Sequence, residues 1–186
     1  MDHKDIQNLD QYKTPEGFRG KSKLTVQLWW MVYALLFRPS PQVLYGWRRF
    51  LLRSFGAKIG KDVILRPSAR ITYPWKVSIG DYSWIGDEVV LYSLGEIEIG
   101  SHTVISQRSY ICTGTHDYQS SDFSIYSKKI TIGHKCWLAT DVYVAPGINI
   151  GDLTVVGARS SVFSDLPSGK VCLGSPAKPI KDRTEH

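Results

Sequence analysis

Residues 132–162 have the sequence IGHKCWLATDVYVAPGINIGDLTVVGARSSV, in which an aliphatic residue returns at every sixth position. These positions are Ile132, Leu138, Val144, Ile150, Val156 and Val162. A period of six is neither the two-residue period of an ordinary strand nor the 3.6-residue period of a helix. It is typical of an array of hexapeptide repeats, in which short strands alternate with corners and the aliphatic side chains stack inside.

The same repeat extends upstream over most of the chain, with three changes of register. Its earlier first positions are Ile59, Leu65, Ile71, Ile79, Ile85, Leu91, Ile99, Ile105 and Ile111. The second position is often glycine, which suggests corners that need positive φ. The fifth position is compact, as at Ser83, Val89, Thr103, Ser109, Thr115, Cys136, Val142, Thr154 and Ser160. Since three hexads complete one triangular turn, the pattern predicts a mainly β protein, a parallel β-helix of about five turns.

Length and cysteine content agree with one domain and an extension. The chain has 186 residues, of which 42% are hydrophobic, so it can bury a substantial core. Its cysteines, Cys112, Cys136 and Cys172, are odd in number and lack zinc-finger spacing. A disulfide framework is therefore not expected, and a reducing compartment is favoured.

The positive charge is confined to the first third of the chain. Residues 1–62 hold 11 Lys and Arg against 5 Asp and Glu, and residues 63–186 hold 12 against 12, so the net charge of +6 arises before the array. No helix-turn-helix or RNA-binding signature accompanies it, so we expect no nucleic-acid partner. A phosphate-bearing substrate or an anionic membrane surface fits the charge better.

The segment before the array begins with a polar stretch, residues 1–23, which we expect to form an extended arm. Residues 24–37 carry no charge, but fourteen residues are too few to span a bilayer, which takes about twenty. Residues 41–55 have helical spacing of apolar residues, with Arg48, Arg49 and Arg53 between them. We expect this second helix to have Ser40 as N-cap and Pro41 in its first turn.

Two roles are open for residues 24–55. They could cap the open end of the first coil, since a repeat array must cover its ends. They could also place Trp29, Trp30 and Trp47, together with the arginines, on a membrane surface. In either case the protein is expected in the cytoplasm, and in the second it would be peripheral at the inner face of the membrane.

Polar residues 117–129 interrupt the array directly after His116. A polar loop of that length that leaves a regular coil is typically functional. Histidine has an ordinary pKa of about 6.5, so its neutral imidazole can accept the proton of an attacking hydroxyl. His116 is therefore the candidate catalytic base, although a lone histidine is more often structural.

The array, the loop junction at residues 113–116 and the basic leader resemble the hexapeptide-repeat acyltransferases. The junction is similar to that of galactoside and maltose O-acetyltransferases. Three stretches are closer still to the colanic acid biosynthesis acetyltransferases: WIGDEVVLYSLGEIEIG at 84–100, ISQRSYICTGTHDY at 105–118 and GSPAKPIK at 174–181. This resemblance implies a left-handed β-helix with an N-terminal helical cap, working as a homotrimer. It also implies transfer of an acetyl group from acetyl-CoA to a sugar hydroxyl in surface polysaccharide biosynthesis, with His116 as base.

The resemblance also implies site residues, and no metal. Coenzyme A would contact Trp137 and Thr140 near its pantetheine arm, Ala158 through the backbone, and Lys178 and Lys181 near its phosphates. The galactoside enzymes place Asn and Asp where this chain has Gly86 and Leu94, so their acceptor does not carry over. Asp87, Glu88 and Tyr92 are instead the candidate contacts of the glycan acceptor.

These expectations divide the chain into an arm and helical cap (1–58), a catalytic β-helix with the loop 117–129 (59–167), and a tail that contributes to coenzyme A binding (168–186). Two other classes stay open. A γ-type carbonic anhydrase uses the same prism, but it needs three zinc histidines, and Ser121 stands where one of them would be. A non-catalytic solenoid scaffold would not need a loop directly after a histidine.

Overall fold

A computed structural model describes residues 6–184. In this part of the chain the helical elements are α1 (Lys23–Val32), a π-helical turn (Tyr33–Phe37), α2 (Tyr45–Ser54) and the 3-10 turns Leu9–Gln11 and Pro74–Lys76. The strands, in chain order, are β1 (Lys58–Ile59), β2 (Ile64–Leu65), β3 (Arg70–Ile71), β4 (Val77–Ile79), β5 (Trp84–Ile85), β6 (Val90–Tyr92), β7 (Ile97–Ile99), β8 (Val104–Ile105), β9 (Tyr110–Cys112), β10 (Gly114–His116), β11 (Ile125–Ser127), β12 (Ile130–Ile132), β13 (Trp137–Leu138), β14 (Tyr143–Val144), β15 (Asn149–Ile150), β16 (Val155–Val156), β17 (Ser161–Val162), β18 (Lys170–Gly174) and β19 (Ala177–Asp182).

The coil strands build three parallel sheets, which form the walls of a prism. The first wall contains β1, β4, β7, β12 and β15, the second β2, β5, β8, β13, β16 and β18, and the third β3, β6, β9, β14 and β17. Each strand pairs with the equivalent strand of the next coil, as Ile59 does with Ile79 and Ile79 with Ile99. The predicted β-helix is therefore confirmed, with five complete turns and part of a sixth.

Two antiparallel pairs depart from this regular winding. Strand β19 turns back on β18 and covers the last edge of the second wall. Strands β10 and β11 form a hairpin that leaves the coil after β9, and the array resumes at β12. The interruption predicted from the polar residues thus begins at Gly114, so that His116 lies on a strand of the hairpin.

The first position of each hexad fills the interior of the prism. All the predicted first positions, from Ile59 to Val162, are buried, and none is more than 7% exposed. The three cysteines are also buried and free, as expected. Most of the predicted fifth positions are buried, and several bond between coils, as when the hydroxyl of Ser83 donates to the carbonyl of Gly100 at 2.6 Å. Thr115 is the exception, because it lies in the hairpin.

The second-position glycines serve the stacking of coils, not positive φ. A Cβ on Gly100 would lie 2.6 Å from the backbone of Gly133 in the next coil, which no side chain tolerates. Positive φ occurs instead at the fourth position of the hexad, at Asp62, Tyr82, Glu88, His102, Arg108, Lys135, Asp141, Leu153 and Arg159. The predicted reason for these glycines is therefore wrong, since the left-handed turn falls two residues later.

Helix α2 begins at Tyr45, later than the sequence predicts, and Ser40 does not cap it. The guanidinium of Arg48 donates to the Ser40 hydroxyl at 2.9 Å and to the carbonyls of Pro41 and Gln42. A helix starting at Pro41 would use those carbonyls for its own first hydrogen bonds. Residues 41–44 instead form a turn, in which the N–H of Leu44 donates to Pro41 O at 3.0 Å.

The three arginines of α2 face the coil. Their guanidinium groups donate to carbonyls of the first turn: Arg48 to Leu65 at 2.7 Å, Arg49 to Val63 at 3.0 Å, and Arg53 to Ile59 at 2.7 Å. No preceding coil exists to pair with these carbonyls, so the arginines satisfy them. The predicted cap role of this segment thus has a specific form, in which cations cover the open end of the prism.

The membrane contacts expected from this segment need correction for four residues. Trp29 and Arg48 are fully buried, and the indole N–H of Trp29 donates to Ile71 O at 2.9 Å. Arg49 and Arg53 are held on the first coil. No helix within residues 6–184 has both the length and the apolar character needed to cross a bilayer.

Candidate active site

The hairpin β10–β11 is attached to the coil at a corner that is tightly bonded. Thr113 donates its backbone N–H and its hydroxyl to Tyr92 O, at 3.2 and 2.6 Å, and its hydroxyl accepts from the N–H of Gly95 at 2.8 Å. Gly114 is required here because a Cβ would lie 2.6 Å from the Leu94 side chain. The strand that carries His116 therefore leaves the coil in a defined direction.

One hydrogen bond sets the protonation of the half-buried His116 imidazole. Its Nδ1 lies 2.8 Å from the carbonyl oxygen of Phe123, which can only accept, so Nδ1 carries the proton in the neutral ring. The Phe123 ring also stacks on the imidazole, with centroids 4.2 Å apart and planes 10° apart. Nε2 is then unprotonated, and it can accept a proton from a substrate hydroxyl.

The loop between the two strands is shaped to present that carbonyl. Phe123 has φ of 49°, a left-handed conformation that is uncommon for a bulky side chain. Asp122 holds the turn by accepting from the Ser120 hydroxyl at 2.6 Å and from the Ser124 N–H at 3.2 Å. The Ser120 hydroxyl lowers the pKa of Asp122, so the carboxylate stays ionised and keeps these bonds at neutral pH.

A ladder of aromatic rings runs along the third wall and ends beside the hairpin. Tyr92, Tyr110, Tyr143 and Phe163 follow one another with centroids 5.7 to 6.3 Å apart. Burial, and then the Cys112 thiol, raises the pKa of Tyr143 to about 12, and the same two causes raise the pKa of Tyr92 and of Tyr110. The phenols are therefore neutral hydrogen-bond donors at physiological pH.

The three predicted acceptor residues are divided between two corners of the prism. Tyr92 is paired with Cys112 on β9, close to the hairpin. Asp87 and Glu88 precede β6 and so lie at its opposite end, and Asp87 is occupied by an ion pair with Arg66 at 2.8 Å and by the Ser68 hydroxyl at 2.8 Å. Within one chain, only Tyr92 is brought towards His116.

The two positions that differ from the galactoside enzymes also have structural reasons. Gly86 has no space for a side chain, since a Cβ would lie 2.8 Å from the N–H of Gln107. Leu94 is buried and packs with Val26 and Tyr73. Neither position offers a polar group to an acceptor.

The predicted coenzyme A residues lie on and beside the second wall. Trp137 exposes about half of its ring, and its indole N–H donates to Ser106 Oγ at 3.1 Å. Register places Trp137, Val155, Val171 and Lys181 in one row across four neighbouring strands. Three strand spacings separate Trp137 from Lys181, or about 14 Å. Lys178 is exposed on the same strand as Lys181.

Thr140 and Ala158 share the corner between the second and third walls, one coil apart. The N–H of Arg159 donates to Thr140 O at 2.9 Å, which holds these two corners together. Ala158 is exposed, so its backbone is open to a ligand. This corner adjoins the row that contains Trp137.

The structure adds two cations that the sequence argument missed. An open groove of about 820 Å³ beside Trp137 is lined by Lys135 and Arg183, among others. Arg183 is held there by the carbonyls of Lys135 and Leu153. Lys135 lies two residues before Trp137, and this spacing could have predicted that the two side chains share a face of the coil.

Comparison with known proteins identifies relatives of the chain. No family model matches the chain. It is 62% identical over 180 residues to "Putative colanic acid biosynthesis acetyltransferase WcaF" of Escherichia coli K12, covering 97% of this chain and 99% of that protein. The maltose O-acetyltransferase structure from Clostridium difficile 630 is 27% identical, with a TM-score of 0.79 over 87% of this chain and 89% of that one.

A further structure shows the same fold at lower identity. It is the hexapeptide-repeat containing acetyltransferase VCA0836 from Vibrio cholerae, solved with acetyl coenzyme A, at 23% identity and a TM-score of 0.79 over 88% of this chain and 89% of that one. The alignment with the E. coli protein extends over almost the entire chain. The chain therefore belongs to the hexapeptide-repeat acetyltransferases, together with the colanic acid biosynthesis protein.

Proposed function

We propose that this protein is an O-acetyltransferase that moves the acetyl group of acetyl-CoA to a sugar hydroxyl in surface polysaccharide biosynthesis. The observation that carries the proposal is the bond between His116 Nδ1 and Phe123 O, which leaves Nε2 free to act as a base. Membership of an acetyltransferase family and the name of the E. coli relative support the reaction and its setting.

In the proposed reaction, His116 Nε2 accepts the proton of the acceptor hydroxyl as its oxygen attacks the thioester carbonyl carbon. The tetrahedral intermediate then collapses, the carbon–sulfur bond breaks, and the imidazolium returns the proton to the leaving thiolate. Such a base typically contributes about 10² to 10⁴ in rate. No serine or cysteine nucleophile is required, because the hydroxyl attacks directly.

Coenzyme A is proposed to lie along the second wall. Trp137 and Thr140 would contact the pantetheine arm, Ala158 would bind through its backbone, and Lys178 and Lys181 would meet the phosphates. The row from Trp137 to Lys181 supports this assignment, as do the added cations Lys135 and Arg183. Cations are favourable partners for a phosphate-rich ligand.

A homotrimer is proposed because one chain does not bring these groups together. Trp137 lies on the second wall, whereas the hairpin of His116 leaves the coil after β9, a strand of the third wall. A cyclic assembly can set the second wall of one prism against the hairpin of the next. Asp87 and Glu88 would then approach an acceptor from the opposite side to Tyr92.

Docking of the cap at the inner face of the membrane is a second part of the proposal. The outer surface of the cap, here called the outward face, exposes Leu24, Leu28, Trp30, Met31, Leu35, Leu36, Val43, Leu44, Trp47 and Phe50. Between Glu16 and Asp62 the chain has nine Lys and Arg residues and no acidic residue. An apolar face within a basic segment suits an anionic lipid surface.

Two other functions are less well supported. A carbonic anhydrase would need three metal ligands together, and residues 6–184 contain no such group of His, Cys, Asp or Glu. A scaffold would have no need for the left-handed Phe123 that binds His116.

The test is acetyl transfer by full-length His116→Ala, measured by thiol release from acetyl-CoA with a panel of methyl glycosides as acceptors. We expect turnover to fall by about 10² to 10⁴, with an unchanged unfolding temperature and three chains by light scattering. His134→Ala is the matched control, because the His134 ring accepts a hydrogen bond from the backbone N–H of Ser101, away from the hairpin, and the variant should keep full turnover. A His116→Ala variant with more than half of the normal turnover would remove His116 from the mechanism.

A further inference from the structure

The arm before α1 is fastened to its own prism on both sides of the catalytic hairpin. At one end, the N–H of Asn8 donates to Ser121 O in the hairpin loop at 2.7 Å. At the other, the indole N–H of Trp75 donates to Arg19 O, and the Lys76 ammonium to Phe18 O, each at 2.7 Å. The intervening residues are therefore held alongside the site of His116.

This path of the arm brings Tyr12 close to the His116 imidazole. Its half-buried ring lies 6.1 Å from the His116 ring, centroid to centroid. Its phenol also affects two other tyrosines. Burial, then Cys112 and then Tyr12 raise the pKa of Tyr92, and burial, then Tyr92 and then Tyr12 raise that of Tyr73. The arm thus adds a phenol, that of Tyr12, on the side of the imidazole where the coil provides Tyr92.

The Tyr12 hydroxyl has no strong restraint from its neighbour. It lies 3.5 Å from Thr14 Oγ1, which is too long for a strong hydrogen bond. A tyrosine presents both an apolar ring and a hydroxyl that can donate or accept. A pyranose has the matching surfaces, since it carries C–H groups on its faces and hydroxyls around its rim.

Apart from Tyr92, the coil positions considered for the acceptor offer little free polarity. Gly86 has no room for a side chain, Leu94 is buried, and Asp87 is already bound by Arg66 and Ser68. A sugar beside His116 therefore needs polar contacts in addition to Tyr92.

We propose that the arm forms one wall of the acceptor subsite and that Tyr12 is a specificity-determining residue, which packs against the sugar ring and binds one of its hydroxyls. The proposal rests on the proposed O-acetyltransferase function. It assigns acceptor selection to a segment outside the hexapeptide array.

Steady-state kinetics of the full-length protein with acetyl-CoA and the methyl glycoside panel test this role. Tyr12→Ala should raise the KM for the acceptor by about tenfold or more, with less than a twofold change in the KM for acetyl-CoA and in the unfolding temperature. Tyr12→Phe should recover part of the loss, because it restores the ring but not the hydroxyl. Tyr118→Ala, at an exposed loop position, is the matched control and should change neither constant.

A second measurement does not depend on the acceptor. The rate at which diethyl pyrocarbonate modifies His116, followed by peptide mass spectrometry, should rise in Tyr12→Ala, because one side of the imidazole loses its cover. A wild-type modification rate, or a wild-type acceptor KM, would overturn the proposal for Tyr12. Wild-type protein that acetylates none of the glycosides, or active His116→Ala, would instead count against the proposed function.

Discussion

At His116 the proposed chemistry depends on the position of one proton. A histidine alone in a sequence has two neutral tautomers, and only one of them leaves Nε2 free. The carbonyl of Phe123 selects that tautomer, and the left-handed backbone of Phe123 is what aims the carbonyl at Nδ1. The loop therefore acts through a backbone atom, so its contribution has no side-chain signature in the sequence.

The glycines give a prediction at the same scale. Gly100→Ala should destabilise the protein by about 1 to 3 kcal/mol, because its Cβ would meet the backbone of Gly133 and neither coil can move freely. Urea unfolding followed by circular dichroism measures this change.

Gly46→Ala is the matched control for that experiment. Gly46 lies in α2, and its Cβ would meet only the flexible end of Arg49, at 3.9 Å. Alanine is the better helix former by about 1 kcal/mol, so this variant should be as stable as the parent or more stable. Equal stability of both variants would contradict the view that the second-position glycines are required by coil stacking.

At the scale of elements, the strands and the presence of a helical cap were predictable, but the contacts of the cap were not. Aliphatic residues at a strict period of six can only stack inside a coil, so the walls and the buried positions follow from the sequence. One of the two roles left open by the sequence placed the arginines of α2 on a membrane surface. The structure turns them towards the first coil instead, since its unpaired carbonyls attract cations, and many apolar residues of the cap are left exposed.

Arg48 carries the corresponding prediction. It is fully buried and donates to carbonyls of Leu65, Pro41 and Gln42. Arg48→Met should lower the free energy of unfolding by at least about 2 kcal/mol, because buried carbonyls lose their donors. Thermal unfolding should show it, while Phe50→Ser, at a residue 58% exposed on the same helix, should be nearly neutral. A stable Arg48→Met variant would show that the coil end does not depend on this side chain.

At the scale of the whole molecule, the spatial arrangement of the site was the feature that the sequence predicted least. The hexapeptide pattern and the junction before the loop were enough to single out His116. They could not show that Tyr92 and Asp87 lie at opposite ends of one strand, or that Tyr12 comes close to the imidazole. Those facts depend on the path of the arm and on the corner at which the hairpin leaves the coil. Neither feature is marked by a periodic pattern in the sequence.

The outward face gives the prediction at this scale. Intact protein should sediment with vesicles of phosphatidylcholine and phosphatidylglycerol more than with phosphatidylcholine alone, and salt should weaken the binding. Replacing Met31, Leu35 and Phe50 together by serine should reduce binding by about tenfold or more, since each exposes a large apolar side chain.

Ile180→Ser is the matched control for those vesicles, because Ile180 is equally exposed but lies on β19 at the far end of the prism. It should bind as the parent does. Protein that stays in the supernatant with both kinds of vesicle would exclude the docking proposal. A sixfold assembly by light scattering would show that the outward face pairs with a second trimer instead.

The covering of the first coil by α2 and of the last edge of the second wall by β19 has a consequence for how the molecule behaves in a crowded cell. A bare coil end is a template on which another coil could continue the winding, and repeated addition would produce filaments. Here the guanidinium groups of α2 occupy the carbonyls at one end, and β19 runs against the direction of the wall at the other. The chain can therefore meet its own copies side by side, where the proposed site is shared, without growing end to end.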